Sequence, residues 1–169
     1  GAADTIDGRG GTDTVSYFNT EKTDTFTPNG IQVNLAAGTV IDPGGNIDQL
    51  TNIENINGTN FDDEIVGDSG PNTLNGYDGN DILDGGAGDD IINGGPGDDI
   101  INDGVGDDIV DAGEGNDTYR RDFDITDPNG TWIPHIDLEN EGLFSPSFPG
   151  VKGDELKNFE NVTLKGSLD

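Results

Sequence analysis

A nine-residue period runs through residues 58–120 and limits the possible folds more than any other feature of the chain. With segment 85–93, GGAGDDIIN, as the template, the eighth position of seven consecutive units is aliphatic or aromatic. These residues are Ile65, Leu74, Leu83, Ile92, Ile101, Val110 and Tyr119. A period of nine fits neither an α-helix nor a long alternating strand, so it predicts short strands separated by turns.

Each unit offers one inward side chain, which is too little to fold alone, so successive units must coil and stack into a solenoid. Glycines at the first, second and fourth positions allow the turn dihedral angles that a Cβ would forbid. If each nonapeptide forms half a coil, the sixth-position residues fall on two edges of the stack. One edge then has Asp63, Asp81, Asp99 and Asp117, and the other has Asn72, Asp90 and Asp108.

Stacked carboxylates of this kind need a counter-charge. Two carboxylates about 5 Å apart repel each other by about 3 kcal/mol at an effective dielectric constant of about 20. A hard cation removes this repulsion, and its binding free energy contributes to folding. Calcium is the best candidate because it accepts many oxygen ligands in flexible geometry, and the absence of Cys argues against softer metals.

The run 83–100, LDGGAGDDIINGGPGDDI, resembles the glycine-rich and aspartate-rich nonapeptides of the repeats-in-toxin (RTX) proteins. The resemblance implies an all-β fold, namely a parallel β-roll that forms a calcium-loaded right-handed β-solenoid with irregular β connectors. It also implies that each calcium ion lies between two turns that are two units apart. About five ions are expected, between Asp63 and Asp81, Asp81 and Asp99, Asp99 and Asp117, Asp90 and Asp108, and Asn72 and Asp90.

The resemblance also implies a ligand set for these ions. In RTX proteins the sixth-position Asp of both turns binds the ion, together with carbonyls of positions one and three of one turn and two and four of the other. The implied side-chain ligands are Asp63, Asn72, Asp81, Asp90, Asp99, Asp108 and Asp117. The implied carbonyl ligands are Gly76, Tyr77, Asp78, Gly79, Gly85, Gly86, Ala87, Gly88, Gly94, Gly95, Pro96, Gly97, Asp103, Gly104, Val105, Gly106, Gly113 and Gly115. Five residues depart from the pattern and weaken the end sites: Asn72, Phe61, Tyr77, Asp103 and Ala112.

The charge balance predicts that folding is coupled to metal binding. The chain has 7 basic and 35 acidic residues, a net charge of -28 and 30% hydrophobic residues, a composition typical of disordered chains. We therefore expect calcium to convert the chain from coil to roll. The negative charge disfavours nucleic acid and anionic lipid as partners. No apolar run reaches the length of a transmembrane segment.

The predicted function is that of a calcium-binding structural module which stiffens a larger protein and aids its export. Resemblance to RTX proteins implies a bacterial type I secretion substrate that folds outside the cell, either secreted or at the cell surface. Catalysis finds little support, because His135 is the single histidine and no Ser lies in a nucleophile-elbow context. Two alternatives stay open: a module of a toxin or adhesin that recognises a sugar or protein on a target cell, and an accessory roll of a secreted enzyme.

Four segments are predicted along the chain: the end of an upstream roll (1–16), a connector or N-terminal cap (17–57), a complete roll (58–120) and a connector or C-terminal cap (121–169). The connectors share a plan, since segment 154–162, DELKNFENV, matches segment 48–56, DQLTNIENI. Segment 48–56 leads into the roll at 58–120. By analogy, we expect a further roll after residue 169 and neighbouring RTX blocks as partners. The apolar residues expected to cover open roll ends are Leu50, Ile53 and Ile56, with counterparts Leu156, Phe159 and Val162.

Two further groups of apolar residues could form contact surfaces. The tail contains the aromatic residues Trp132, Phe144, Phe148 and Phe159, which could pack on the roll or form a recognition face. At the seventh position, Ile82 and Ile100 form one predicted outward row, and Ile91 and Ile109 form another. Such rows either reflect the preference of strands for β-branched residues or offer a docking surface.

Overall fold

The computed structural model describes residues 3–17, 30–122, 143–144, 155–157 and 161–165, which form sixteen β-strands and no helix. The strands are β1 (Thr5–Asp7), β2 (Thr14–Ser16), β3 (Gln32–Asn34), β4 (Thr39–Ile41), β5 (Ile47–Thr51), β6 (Asn55–Asn57), β7 (Glu64–Val66), β8 (Thr73–Asn75), β9 (Ile82–Asp84), β10 (Ile91–Pro96), β11 (Ile100–Asn102), β12 (Ile109–Glu114), β13 (Thr118–Asp122), β14 (Leu143–Phe144), β15 (Glu155–Lys157) and β16 (Asn161–Lys165). Within this part of the chain, no helix is long and apolar enough to cross a membrane.

The strands form two sheets, and consecutive nonapeptides alternate between them. The nine-stranded sheet has the order β1-β5-β4-β3-β7-β9-β11-β13-β16, and the seven-stranded sheet has the order β14-β15-β12-β10-β8-β6-β2. Strands of the repeat pair in parallel with those two units away, so that Ile65 lies opposite Leu83 and Leu83 lies opposite Ile101. Each nonapeptide is therefore half a coil, and the predicted all-β parallel β-roll is confirmed.

The core lies between the two sheets. Because the side chains of a strand alternate between its faces, only the middle residue of each three-residue strand points inward. These eighth-position side chains are all buried, with exposed fractions of 0 to 1%: Ile65, Leu74, Leu83, Ile92, Ile101, Val110 and Tyr119. The seventh-position residues Ile82, Ile91 and Ile109 point outward and are 43 to 46% exposed. A docking role for these outward isoleucines stays a prediction.

The described part of the first connector continues both sheets. In the seven-stranded sheet, β6 pairs directly with β2 on one side and β8 on the other. In the nine-stranded sheet the β3–β4 hairpin lies between β5 and β7, with β4 antiparallel to both of its neighbours. Leu50, Ile53 and Ile56 are buried, and they lie between the upstream strands and the roll. The predicted segment boundaries stay predictions.

The described strands of the tail repeat the pairing of the first connector. Strand β15 pairs in parallel with β12 and places Leu156 opposite Val110, as β5 places Leu50 opposite Ile6. Strand β16 likewise pairs with β13, as β6 pairs with β2. Strand β14, which includes Phe144, is antiparallel to β15, as β4 is to β5. Trp132, His135, Phe148 and Phe159 lie outside the described residues.

Candidate metal sites in the roll turns

The sixth-position side chains form two hydrogen-bonded ladders, one at each edge of the roll. The backbone N–H of Asp63 donates to Oδ1 of Asp81, eighteen residues later, at 2.8 Å, and Asp81 donates in the same way to Asp99. The remaining bonds of this type, all 2.8 Å long, join Asp99 to Asp117, Asn72 to Asp90 and Asp90 to Asp108. The structure thus brings the predicted side-chain ligands together in the two predicted rows.

The middle residues of the two ladders, which have a ladder neighbour on both sides, each have one carboxylate oxygen without a hydrogen bond in the described structure. Oδ2 of Asp81, Asp90 and Asp99 is buried, and it has no hydrogen bond within the described residues. The three side chains are 0 to 1% exposed. A buried carboxylate oxygen without a partner costs several kcal/mol, so these positions favour a bound cation.

The first-position glycines show where such a cation fits. A Cβ added to Gly76 would lie closer than 3.0 Å to both Oδ2 of Asp81 and the carbonyl oxygen of Gly94. The equivalent point beside Gly94 meets Oδ2 of Asp99 and the carbonyl oxygen of Ala112. A carboxylate oxygen and a carbonyl oxygen of the next coil therefore converge on one cradle, which only glycine leaves open.

Gly85 forms a cradle of the same kind on the opposite edge. A Cβ added there would meet Oδ2 of Asp90 and the carbonyl oxygen of Asp103 closer than 3.0 Å. Within the described chain no three Asp, Glu or His side chains form a cluster suited to a metal. A metal in these cradles would take its remaining ligands from turn carbonyls, as the resemblance to RTX proteins implies.

Burial dominates the electrostatics of these acids. It raises the pKa of Asp81 from 3.8 to about 8, with further contributions from the charges of Asp63 and Asp99, while a hydrogen bond from the Asp63 backbone opposes the shift. Burial likewise raises the pKa of Asp99 to about 7 and that of Asp90 to about 6. The ionised forms are therefore disfavoured in the folded chain unless a positive charge lies beside them.

The turn carbonyls predicted as ligands lie between successive coils. The carbonyl oxygen of Gly86 accepts the N–H of Val105 at 2.9 Å, and the carbonyl oxygen of Val105 accepts the N–H of Gly88 at 2.8 Å. Each carbonyl oxygen has a second lone pair, so these bonds leave room for a cation. The other predicted carbonyl ligands lie in these turns and in the equivalent turns of the neighbouring units.

Asp63 and Asn72 differ from the middle residues, although they occupy the same position of the repeat. Oδ2 of Asp63 accepts the N–H of Thr59 at 2.6 Å, and Oδ1 accepts the N–H of Ile31 at 2.7 Å. Oδ1 of Asn72 accepts the N–H of Asp68 at 2.8 Å. The protein itself therefore donates to the Asp63 and Asn72 oxygens, which the sequence assigns to the ions shared with Asp81 and with Asp90.

Two polar features of the roll were not predicted from the sequence. Asn57, Asn75 and Asn93 form a ladder in which each Nδ2 donates to the preceding Oδ1 at 2.7 Å. Their spacing of eighteen residues is visible in the sequence and could have identified them. The hydroxyl of Tyr119 donates to the carboxylate of Asp103, and both side chains are buried. No sequence pattern indicated that pair, because Asp103 occupies a glycine position.

Comparison with known families agrees with this geometry. The family model described as the RTX calcium-binding nonapeptide repeat (4 copies) matches residues 1–17, 57–92 and 84–119. The nonapeptide units of this chain are RTX repeats. Repeats of this family bind calcium and act as a structural module. No curated protein matches the chain.

Proposed function

We propose that this chain is a calcium-dependent structural segment whose roll folds around ions held between its turns. The observation that supports this function best is the set of buried Oδ2 atoms of Asp81, Asp90 and Asp99, which have no hydrogen bond in the described structure. Three ions follow from these open carboxylates: between Asp81 and Asp99, between Asp99 and Asp117, and between Asp90 and Asp108.

The ions between Asp63 and Asp81 and between Asn72 and Asp90 remain part of the proposal, with weaker binding. Thr59 and Asp68 already donate to Asp63 and Asn72, so a cation there competes with protein N–H groups. Together with the three ions above, this gives the expected number of about five.

Folding outside the cell follows from charge. With a net charge of -28, the metal-free chain repels itself and stays expanded. RTX repeat proteins are typically secreted and bind calcium outside the cell. We propose that this chain follows the same route, by bacterial type I secretion, and then stiffens the larger protein to which it belongs.

The two alternatives from the sequence stay predictions. A recognition role would use tail aromatics such as Trp132, which lies outside the described residues. A role as accessory roll of a secreted enzyme depends on the rest of the parent chain. Glycan arrays probed with the chain and its Trp132→Ala variant would separate recognition from a purely structural role.

Calcium affinity tests the extracellular function. Isothermal titration calorimetry of the metal-free chain should give dissociation constants of about 10⁻⁴ to 10⁻³ M, the range of extracellular calcium modules. Titration with magnesium is the control, since magnesium demands a rigid octahedral shell that mixed turn carbonyls do not provide. Affinity tighter than about 10⁻⁷ M, the lower limit for cytosolic sensors, would contradict folding outside the cell.

A further inference from the structure

Each member of the asparagine ladder on the seven-stranded sheet is followed by a glycine. Asn57, Asn75 and Asn93 lie eighteen residues apart, and the next residue in each case is a buried glycine. Asparagine is a thermolabile residue, and it is most reactive before glycine, which has no Cβ to hinder the approach of its nitrogen to the asparagine side chain. The ladder is therefore also a row of pairs that can deamidate.

Deamidation of such a pair is intramolecular and consumes only water. The backbone nitrogen of the glycine loses its proton and attacks Cγ of the preceding asparagine. A C–N bond forms, the Cγ–Nδ2 bond breaks, and the side-chain nitrogen leaves as ammonia. Water then opens the resulting succinimide ring and gives either aspartate or isoaspartate. The reaction requires the glycine nitrogen and the asparagine Cγ to approach each other freely.

The roll prevents this approach at Asn75, the middle member of the ladder. The N–H of Gly76 donates to the carbonyl oxygen of Asn93 at 2.9 Å, which ties the attacking nitrogen to the next coil. Nδ2 of Asn75 donates to Oδ1 of Asn57 at 2.7 Å, and Oδ1 of Asn75 accepts the Nδ2 of Asn93 at 2.7 Å. Neighbouring coils therefore hold both the attacking nitrogen and the side-chain amide.

The same arrangement recurs one coil earlier. The N–H of Gly58 donates to the carbonyl oxygen of Asn75 at 2.8 Å, and Oδ1 of Asn57 accepts the Nδ2 of Asn75. All these bonds join different coils, because Asn75 pairs in parallel register with Asn57 on one side and Asn93 on the other. Reaction at the pairs therefore requires the coils to separate, at least locally.

We propose that Asn57, Asn75 and Asn93 are modification sites that deamidate while the roll is open and are protected when calcium closes it. The inference rests on the proposed function, in which the buried sixth-position carboxylates allow the coils to close only when a cation compensates them. A chain that waits without calcium then has a limited chemical lifetime. Calcium preserves its covalent structure as well as its fold.

Either product damages the roll beside a metal cradle. Isoaspartate at position 75 adds one carbon to the backbone and displaces Gly76, which faces Oδ2 of Asp81 and the carbonyl oxygen of Gly94. Aspartate at position 75 removes the amide that donates to Oδ1 of Asn57, and it adds a negative charge to a chain with a net charge of -28. Damage acquired before folding therefore weakens the later response to calcium.

Peptide mapping by mass spectrometry tests the protection. The whole chain is kept at neutral pH with calcium or with EGTA, and the deamidated fraction at Asn75 is followed over time beside the far-UV circular dichroism spectrum. Deamidation should be about tenfold or more slower in calcium, because the reaction follows the population of the open form. A synthetic peptide of residues 71–80 is the control, and it should react equally fast in both solutions.

The two measurements distinguish this inference from the proposed function. If calcium produces the strand spectrum but Asn75 deamidates equally fast in both solutions, the inference is overturned and the proposed function stands. If calcium changes neither the spectrum nor the rate, both are overturned.

A variant tests whether the product harms the roll. Asn75→Asp reproduces one product and removes the donor to Asn57, so the calcium concentration at the midpoint of folding should be several-fold higher than in the parent, the effect of about one hydrogen bond. Asn80→Asp is the matched control, because it adds the same charge and keeps the oxygen that accepts the N–H of Asp98 at 2.8 Å. Equal midpoints for the two variants would reject the damage to the ladder.

Discussion

The first two nonapeptides of the roll (58–75) differ from the next three (76–102) in how the buried sixth-position side chain is compensated. In the first two, the second-position N–H of Thr59 or Asp68 donates to the sixth-position side chain of its own unit. In the next three, the second-position residues Tyr77, Gly86 and Gly95 are left-handed, with φ of 75°, 91° and 122°.

The two backbone conformations have opposite consequences for metal binding. A second-position N–H that donates to the carboxylate replaces part of the charge compensation that a cation would give. A left-handed second residue directs its N–H elsewhere, as Gly86 donates to Asp84, and the carboxylate oxygen stays open. The comparison indicates that the conformation of the second position decides whether the protein itself satisfies the sixth-position side chain or leaves one of its oxygens open for a cation.

The largest expected effect comes from filling a cradle of the middle units. Gly94→Ala places a Cβ against Oδ2 of Asp99 and the carbonyl oxygen of Ala112, which blocks the ion and adds about 1–3 kcal/mol of overpacking. The calcium concentration at the midpoint of folding should rise roughly tenfold or more. The control is Gly70→Ala, where the nearest atom to the added Cβ is 3.5 Å away. Equal midpoints for the two variants would contradict the cradle.

The next largest effect is the difference in the calcium midpoint of folding between Asp99→Asn and Asp63→Asn. Asp99→Asn removes a charge with an open oxygen, whereas Asp63→Asn removes a charge that Thr59 and Ile31 already satisfy. We expect the folding midpoint in calcium to rise several-fold more for Asp99→Asn, a difference of about 1 kcal/mol. Calcium titrations followed by circular dichroism measure both midpoints, and a larger shift for Asp63→Asn would reverse the comparison.

Protonation of Asp81 and Asp99 at low pH should partly replace the stabilising effect of calcium. The pKa of Asp81 is raised from 3.8 to about 8, and that of Asp99 from 3.8 to about 7. The folded chain therefore binds more protons than the unfolded chain from a pH of about 3.8 up to these raised pKa values. Stability of the metal-free fold is therefore highest below about 3.8 and is lost as pH rises towards about 8. Metal-free circular dichroism should show strand signal growing as pH falls. Strand signal that grows with rising pH would contradict the raised pKa values.

The smallest expected effect is a coupling between Thr59 and Asp63. Thr59→Gly removes the hydroxyl that donates to Oδ1 of Asp63 and relaxes the turn whose N–H donates to Oδ2. In this background Asp63→Asn should shift the calcium midpoint more than it does in the parent, by about 0.5–1 kcal/mol of coupling. A double-mutant cycle measures this coupling. Strictly additive effects would mean that Thr59 does not compete with the ion.

The fold and the two ladders could be predicted from the sequence because the nine-residue period fixes which residues recur at each position of the coil. An aliphatic residue at every ninth position places Ile65 and Leu83 opposite each other once each unit forms half a coil. The sixth-position acids then fall on the two edges without further information. Regular periodicity therefore specified the roll, since each unit sees only its neighbours.

The features outside the period could not be predicted in the same way. Asp48 and Glu54 accept the backbone N–H groups of Asp4 and Asp13 at 2.8 Å, as the ladder residues of the roll do for each other. They are six residues apart, so the nine-residue template passes over them, and their position depends on strand pairing with β1 and β2. The hydrogen bonds to Asp63 depend on Thr59 and on Ile31, which is thirty-two residues away in the sequence. Long-range contacts of this kind leave no local pattern.

Far-UV circular dichroism of the whole chain at neutral pH, before and after chelation with EGTA, tests most directly whether cations hold the carboxylate ladders together. The predicted result is loss of the strand spectrum on chelation and its recovery when calcium is added back, because Asp81, Asp90 and Asp99 then regain a partner for their buried oxygens. A strand spectrum that survives complete removal of calcium would contradict the account.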